Sequence, residues 1–152
     1  MTRTTRALAT AGLAAVLALS GTAAKAADLE VVLRGLKSAE GDARIAVHKR
    51  IPDIAFPGGG VVAATVRPAR EGEIRVVFTD LDPGEYAVAA FHDADGDGEL
   101  ARNIVGMPTE GFGFSNGATG FMGPPGFDKA AVTVGSKDAR VSAVVPISYP
   151  GS

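Results

Sequence analysis

Asp93-Ala94-Asp95-Gly96-Asp97-Gly98-Glu99-Leu100 is the stretch of this sequence best equipped for chemistry. Carboxylates at the first, third and fifth positions of a tight curl converge on one point. Glycine at the sixth permits the sharp turn. The carbonyl oxygen of Glu99 at the seventh can face inward, and Leu100 at the eighth can pin the loop to a core. Three clustered carboxylates repel one another, and a divalent cation relieves that repulsion. The pattern predicts calcium held by Asp93, Asp95, Asp97 and the Glu99 carbonyl, with an extracellular-type affinity of about 10⁻⁴–10⁻³ M. It is only half a motif, because Ile104 stands where an EF-hand carries a bidentate glutamate. Asn103 and Glu110 are the candidates to complete the shell. The competing reading is a solvated acidic turn, since Asp and Gly also favour turns for backbone reasons.

A Gly/Phe-rich segment follows, Gly106 to Asn116 and then Phe121 to Phe127, holding four of the seven phenylalanines. One reading makes it a contact loop for a sugar, a peptide or a partner protein, with Glu110, Phe112, Phe114 and Asn116 as contact residues. The other folds the rings back over the open end of the domain as a satellite cluster. The two histidines offer little more. His48 lies on the polar parity of its strand beside Lys49 and Arg50 and is expected to be exposed. His92 adjoins Asp93, either as a metal ligand or as a satisfied strand-end residue. No Gly-x-Ser-x-Gly elbow, phosphate-cradling loop or cysteine is present. The three aspartates are too clustered for glycoside hydrolysis across a cleft of about 5–10 Å. An enzyme is not expected.

The elements that must position this loop read as strands. Leu29, Val31 and Leu33 alternate with polar residues, as do Ile45 and Val47, and Ile74, Val76 and Phe78. Val62, Ala64 and Val66 form a third such set, assigned to the core. Tyr86–His92 is apolar on both parities, as a central strand would be, and Val132–Val134 and Val141–Ile147 complete seven strands. Turn chemistry separates them at Glu40-Gly41-Asp42, Pro57 to Gly60, Glu71-Gly72 and Asp82-Pro83-Gly84. No apolar period of 3.6 residues stands out. The fold class is therefore all-β, a single antiparallel two-sheet sandwich of immunoglobulin or transthyretin type. Residues 93–128, with nine Gly and three Pro, carry no recognisable strand and form a long loop at one end.

Residues 1–26 read as a secretory leader. Arg3 and Arg6 precede the uncharged run Ala7–Leu19, and Ala24-Lys25-Ala26 suits cleavage before Ala27. The run is too short for a membrane span of roughly 20 residues. This predicts a periplasmic or secreted protein whose β-sandwich domain spans 27–152. Without Arg3, Arg6 and Lys25, 12 basic residues face 17 acidic ones, a net charge of −5. That balance argues against nucleic acid as a partner.

The run from Phe78 to Val88, followed by Phe91-His92-Asp93, resembles a bacterial family of exported proteins of uncharacterised role, domain of unknown function family 2141. The similarity extends through Asp97-Gly98, Gly106-Met107-Pro108, Glu110-Gly111, Gly113 to Asn116 and Pro125-Gly126-Phe127. The family usually has Asn where this chain has Asp95 and Asp97, and often Asp where it has Ala101. The piece from Phe78 to Tyr86 is also similar to transthyretin-like and carboxypeptidase-regulatory-like domains. The resemblance implies a sandwich and an exported location, with no established activity. The functional expectation is a non-enzymatic β-sandwich whose calcium loop orders a contact loop. The alternative is a small periplasmic enzyme or transition-metal-handling protein centred on His92 and Glu110.

Overall fold

The computed structural model describes residues 26–135 and 140–151, so the expected leader lies, but for Ala26, outside the described residues. Eight strands form two sheets. β1 (Ala27–Leu36) sits between β4 (Gly72–Leu81) and β8 (Val141–Pro146) in a three-stranded sheet. The second sheet runs β3 (Val61–Pro68), β2 (Asp42–Lys49), β5 (Gly84–Asp93) and β6 (Phe112–Phe114). β7 (Ala131–Val134) shares the β6 side of β5, pairing with its first half while β6 pairs with its second. All pairs are antiparallel except β1 with β8. Among the described residues no helix is long and apolar enough to cross a membrane.

Period-two patterning works as the sequence predicts on most strands. Leu29, Val31 and Leu33 of β1, Ile45 and Val47 of β2, and Val88 and Ala90 of β5 are buried between the sheets. Each large apolar side chain so buried contributes about 1.5–3 kcal/mol. Tyr86 sits in the same layer and its hydroxyl donates to the Asp82 carbonyl oxygen at 2.6 Å. That bond satisfies a buried polar tip and fixes the turn entering β5.

Two expectations fail on the second sheet. Val62, Ala64 and Val66 do not face the core but lie exposed on the outer surface. The register explains this, because inward Ile45 and Val47 stand opposite Thr65 and Ala63, leaving Val66 and Ala64 opposite outward Arg44 and Ala46. The segment 93–128 also does not lack strands, nor does it stay at one end. Phe112-Gly113-Phe114 adds β6 to the sheet edge, a 3-10 turn follows at Ser115–Gly117, and a one-turn helix, α1, spans Phe127–Ala130.

Ser115 explains how β6 and β7 share one neighbour. Val88 of β5 pairs with Val47 of β2 but falls between β6 and β7 on its other side, where the Ser115 hydroxyl oxygen accepts its N–H at 2.9 Å. The same hydroxyl donates to the Ala130 carbonyl oxygen at 2.5 Å. A buried side chain thus replaces one rung of the ladder.

Candidate functional site

The outer face of the second sheet carries a groove of about 640 Å³, within the usual range for small-molecule sites of about 300–1,000 Å³. Its floor is set by strand register. Ala64 of β3 stands opposite Ala46 of β2, and Ala46 opposite Ala89 of β5. Three methyl groups in a row leave a trough where the neighbouring rows carry bulk. One of those rows runs Val66, Arg44, Phe91 and Phe112 across the same strands. The long loop supplies the walls, with Leu100, Arg102, Met107 and Pro108 from one arm and Met122 and Pro124 from the other.

At one end the groove meets a ring cluster. Phe56, Phe114 and Phe127 pack edge to face, with centroids 5.5 and 6.0 Å from Phe56. The rings do fold back on the protein, but on the outer sheet face and not over the open end of the sandwich, because β6 extends that sheet. Phe121 is the exception and is 94% exposed.

His48 lies beneath this cluster and is 3% exposed, contrary to the expectation of a surface residue. It occupies the polar parity of β2, but Phe56 covers it edge-on at 5.1 Å. Its Nδ1 lies 2.8 Å from the Gly59 carbonyl oxygen, an acceptor, so Nδ1 is the donor of that bond. Nε2 is buried without a hydrogen-bond partner among the described residues.

The acidic turn flanks the opposite end. Asp93, Asp95 and Asp97 are brought together, with one carboxylate oxygen of each within 4.8 Å of the others. Asp93 differs from the other two because it is fully buried and ion-paired. Its Oδ2 accepts from Arg44 Nε at 2.5 Å and from the Gly98 N–H at 3.0 Å, while Oδ1 accepts from the Gly96 N–H at 2.9 Å. Burial pushes its pKa up. The Arg44 and Gly98 hydrogen bonds, the Arg44 charge and the Gly96 N–H outweigh that and hold it below the ordinary carboxylate range. Asp95 and Asp97 are exposed and accept from the backbone N–H two residues on, at 3.2 and 2.8 Å. The second of those donors is Glu99, whose side chain is exposed.

The other expected residues have structural employment. Glu110 closes the acidic loop, with Oε1 accepting from the Ala94 N–H at 2.8 Å and Oε2 from the Ala101 N–H at 3.0 Å. Asn103 Oδ1 accepts from the N–H groups of Val105 and Met107 in its own turn. Asn116 donates to the Ala131 carbonyl oxygen at 2.9 Å, tying the 3-10 turn to β7. Phe112 and Phe114 line the groove. His92 spends both ring nitrogens, one 2.7 Å from the Tyr149 hydroxyl and one 2.7 Å from the Glu40 carbonyl oxygen. Both His92 nitrogens are thus engaged, and each Glu110 oxygen accepts one backbone N–H of the loop.

Sequence reasoning missed Arg44, the alanine row and His48. The one legible signal was small residues on an outward parity, Ala46 and Ala89, which say little until the strands are paired. No curated protein and no solved structure matches the chain. Residues 31–142 match the model of one family, described as an uncharacterized protein conserved in bacteria. With most of the sandwich and the whole groove-forming loop inside that match, the chain belongs to this bacterial family, DUF2141.

Proposed function

We propose that this protein is an exported, non-enzymatic binding module whose working surface is the groove on the outer face of the second sheet. The observation that carries this reading is the Ala64–Ala46–Ala89 row, a floor of small side chains walled by a long loop. An open apolar trough of this size is costly to leave in water and is typical of a ligand site. The non-catalytic part is supported by the engagement of both His92 nitrogens and by the burial of His48 under Phe56. Export rests on the leader reading of residues 1–26.

Nile red, a neutral apolar dye that brightens out of water, tests the groove. The mature chain is expected to bind it, and Ala46→Phe is expected to weaken that binding at least about tenfold. The new ring points outward into open space, so the fold is retained. Equal brightening with both proteins, or none with the wild type, overturns the reading.

A second reading keeps calcium at the acidic turn, favoured by the convergence of the Asp93, Asp95 and Asp97 oxygens. The ion would take Asp95 and Asp97 with the one remaining lone pair of Asp93, on Oδ1, and the Glu99 carbonyl, ordering the arm that walls the groove. With a dissociation constant of about 10⁻³ M, about 10 mM calcium adds roughly 1.4 kcal/mol. The melting temperature is expected to rise by several degrees and to return with chelator. A rise that persists in the Asp95→Asn/Asp97→Asn double variant, or no rise at all, removes calcium from the account.

A further inference from the structure

Charge along the groove is one-sided. Among the described residues Arg44 and Arg102 line it and no Asp or Glu does, although the chain after its expected leader carries a net −5. Arg44 is already matched by Asp93. Arg102 is exposed, and the hydrogen bond it makes is from Nη1 to the Gly106 carbonyl oxygen at 2.9 Å. It has no carboxylate partner among the described residues. A guanidinium is a forked, permanently charged donor suited to a carboxylate.

The groove mouth is apolar beyond its fold requirements. Arg102 stands at the root of a turn whose tip carries Ile104, Val105 and Met107, all exposed, and Phe121 and Met122 are exposed on the other arm. From the Arg44 row to His48 the groove spans four residues of β2, about 13 Å, with the alanine row between them. A cation at one end of an apolar trough, with apolar lips, matches an amphiphile having one charged head and one tail.

Resting on the groove reading above, we infer that the ligand is a single-chain anionic amphiphile. Its acyl tail lies over the Ala64–Ala46–Ala89 floor and its carboxylate head is held by Arg102.

Displacement of Nile red from the mature chain decides this, using dodecanoate, dodecanol and dodecyltrimethylammonium as competitors below their micelle concentrations. Dodecanoate is expected to compete at least about tenfold better than either of the others, since one charge-assisted bond suffices for that factor. Arg102→Gln, at an exposed position, is expected to erase most of that advantage and leave dodecanol unchanged. Ala46→Phe is expected to weaken all three. Equal competition by dodecanoate and dodecanol, or an unaltered preference in Arg102→Gln, overturns the anionic ligand while the groove reading stands. If none of the three displaces the dye, and Ala46→Phe binds dye as wild type does, both fall together.

Discussion

Replacing Arg44 by leucine is expected to cost about 3 kcal/mol at neutral pH, the lower end of the range for removing one partner of a buried ion pair, because Asp93 is buried but Arg44 is part-exposed. The loss comes from what remains. Asp93 stays buried, with the backbone N–H groups of Gly96 and Gly98 as its remaining donors among the described residues. The pH dependence distinguishes this cause from lost packing. In the wild type the folded-state pKa of Asp93 lies below its unfolded value of about 3.9. Its contribution is therefore complete above pH about 4 and is lost as pH falls through the folded value. Without Arg44, burial dominates and the pKa moves up, so acid relieves the variant while it weakens the wild type. Urea titrations at pH 7 and pH 3 check this, and the gap between the two proteins is expected to narrow in acid. A gap of the same size at both values would show that the guanidinium acts through its bulk alone.

The second large effect is expected at Gly113, in the middle of β6. A Cβ there overlaps the backbone carbonyl oxygen of Pro146 and comes within 3.2 Å of a Val145 methyl group. Pro146 belongs to β8 of the opposite sheet, so relief requires one sheet to back away from the other. Gly113→Ala is expected to cost about 3 kcal/mol, the upper end for overpacking, because the obstructing atom is main chain. It is also expected to abolish dye binding, since Phe112 and Phe114 reach the groove only while β6 is docked. Gly123→Ala is the matched control, because nothing lies within 4 Å of a Cβ at that position. Urea midpoints and protease sensitivity of the 93–128 segment provide the readout. A Gly113→Ala protein that unfolds with Gly123→Ala would mean that β6 is dispensable.

What could be read from the residues, and what could not, follows from distance along the chain. Alternation at Leu29, Val31 and Leu33, or at Ile74, Val76 and Phe78, is local and predicts the strand and its inner face together. Val61-Val62-Ala63-Ala64-Thr65-Val66 offers small or apolar residues on both parities, so only pairing with β2 decides which way it faces. Phe112-Gly113-Phe114 does alternate, but three residues with a glycine at the centre and another before them carry too little strand propensity to stand out.

The site divides along the same line. The convergence of Asp93, Asp95 and Asp97 is a property of eight consecutive residues, and the structure retains it. The partner of Asp93 is not, because Arg44 arrives from β2 through sheet register. Charge repulsion pointed to a cation, and for Asp93 the structure supplies a guanidinium. The alanine floor draws one residue from each of three strands, and His48 is hidden by a ring from the following loop. Both are invisible until the sheet is assembled.

The placement of β1 bears on when the molecule can lock. It is the first of the described strands, yet it lies at the centre of its sheet, and Leu29 must wait for Val141 to arrive beside it. Closing so long a loop carries an entropic penalty that nearby contacts cannot offset early. The three-stranded sheet therefore cannot close until β8 has been made, whereas the pairs of the second sheet need no strand later than β7.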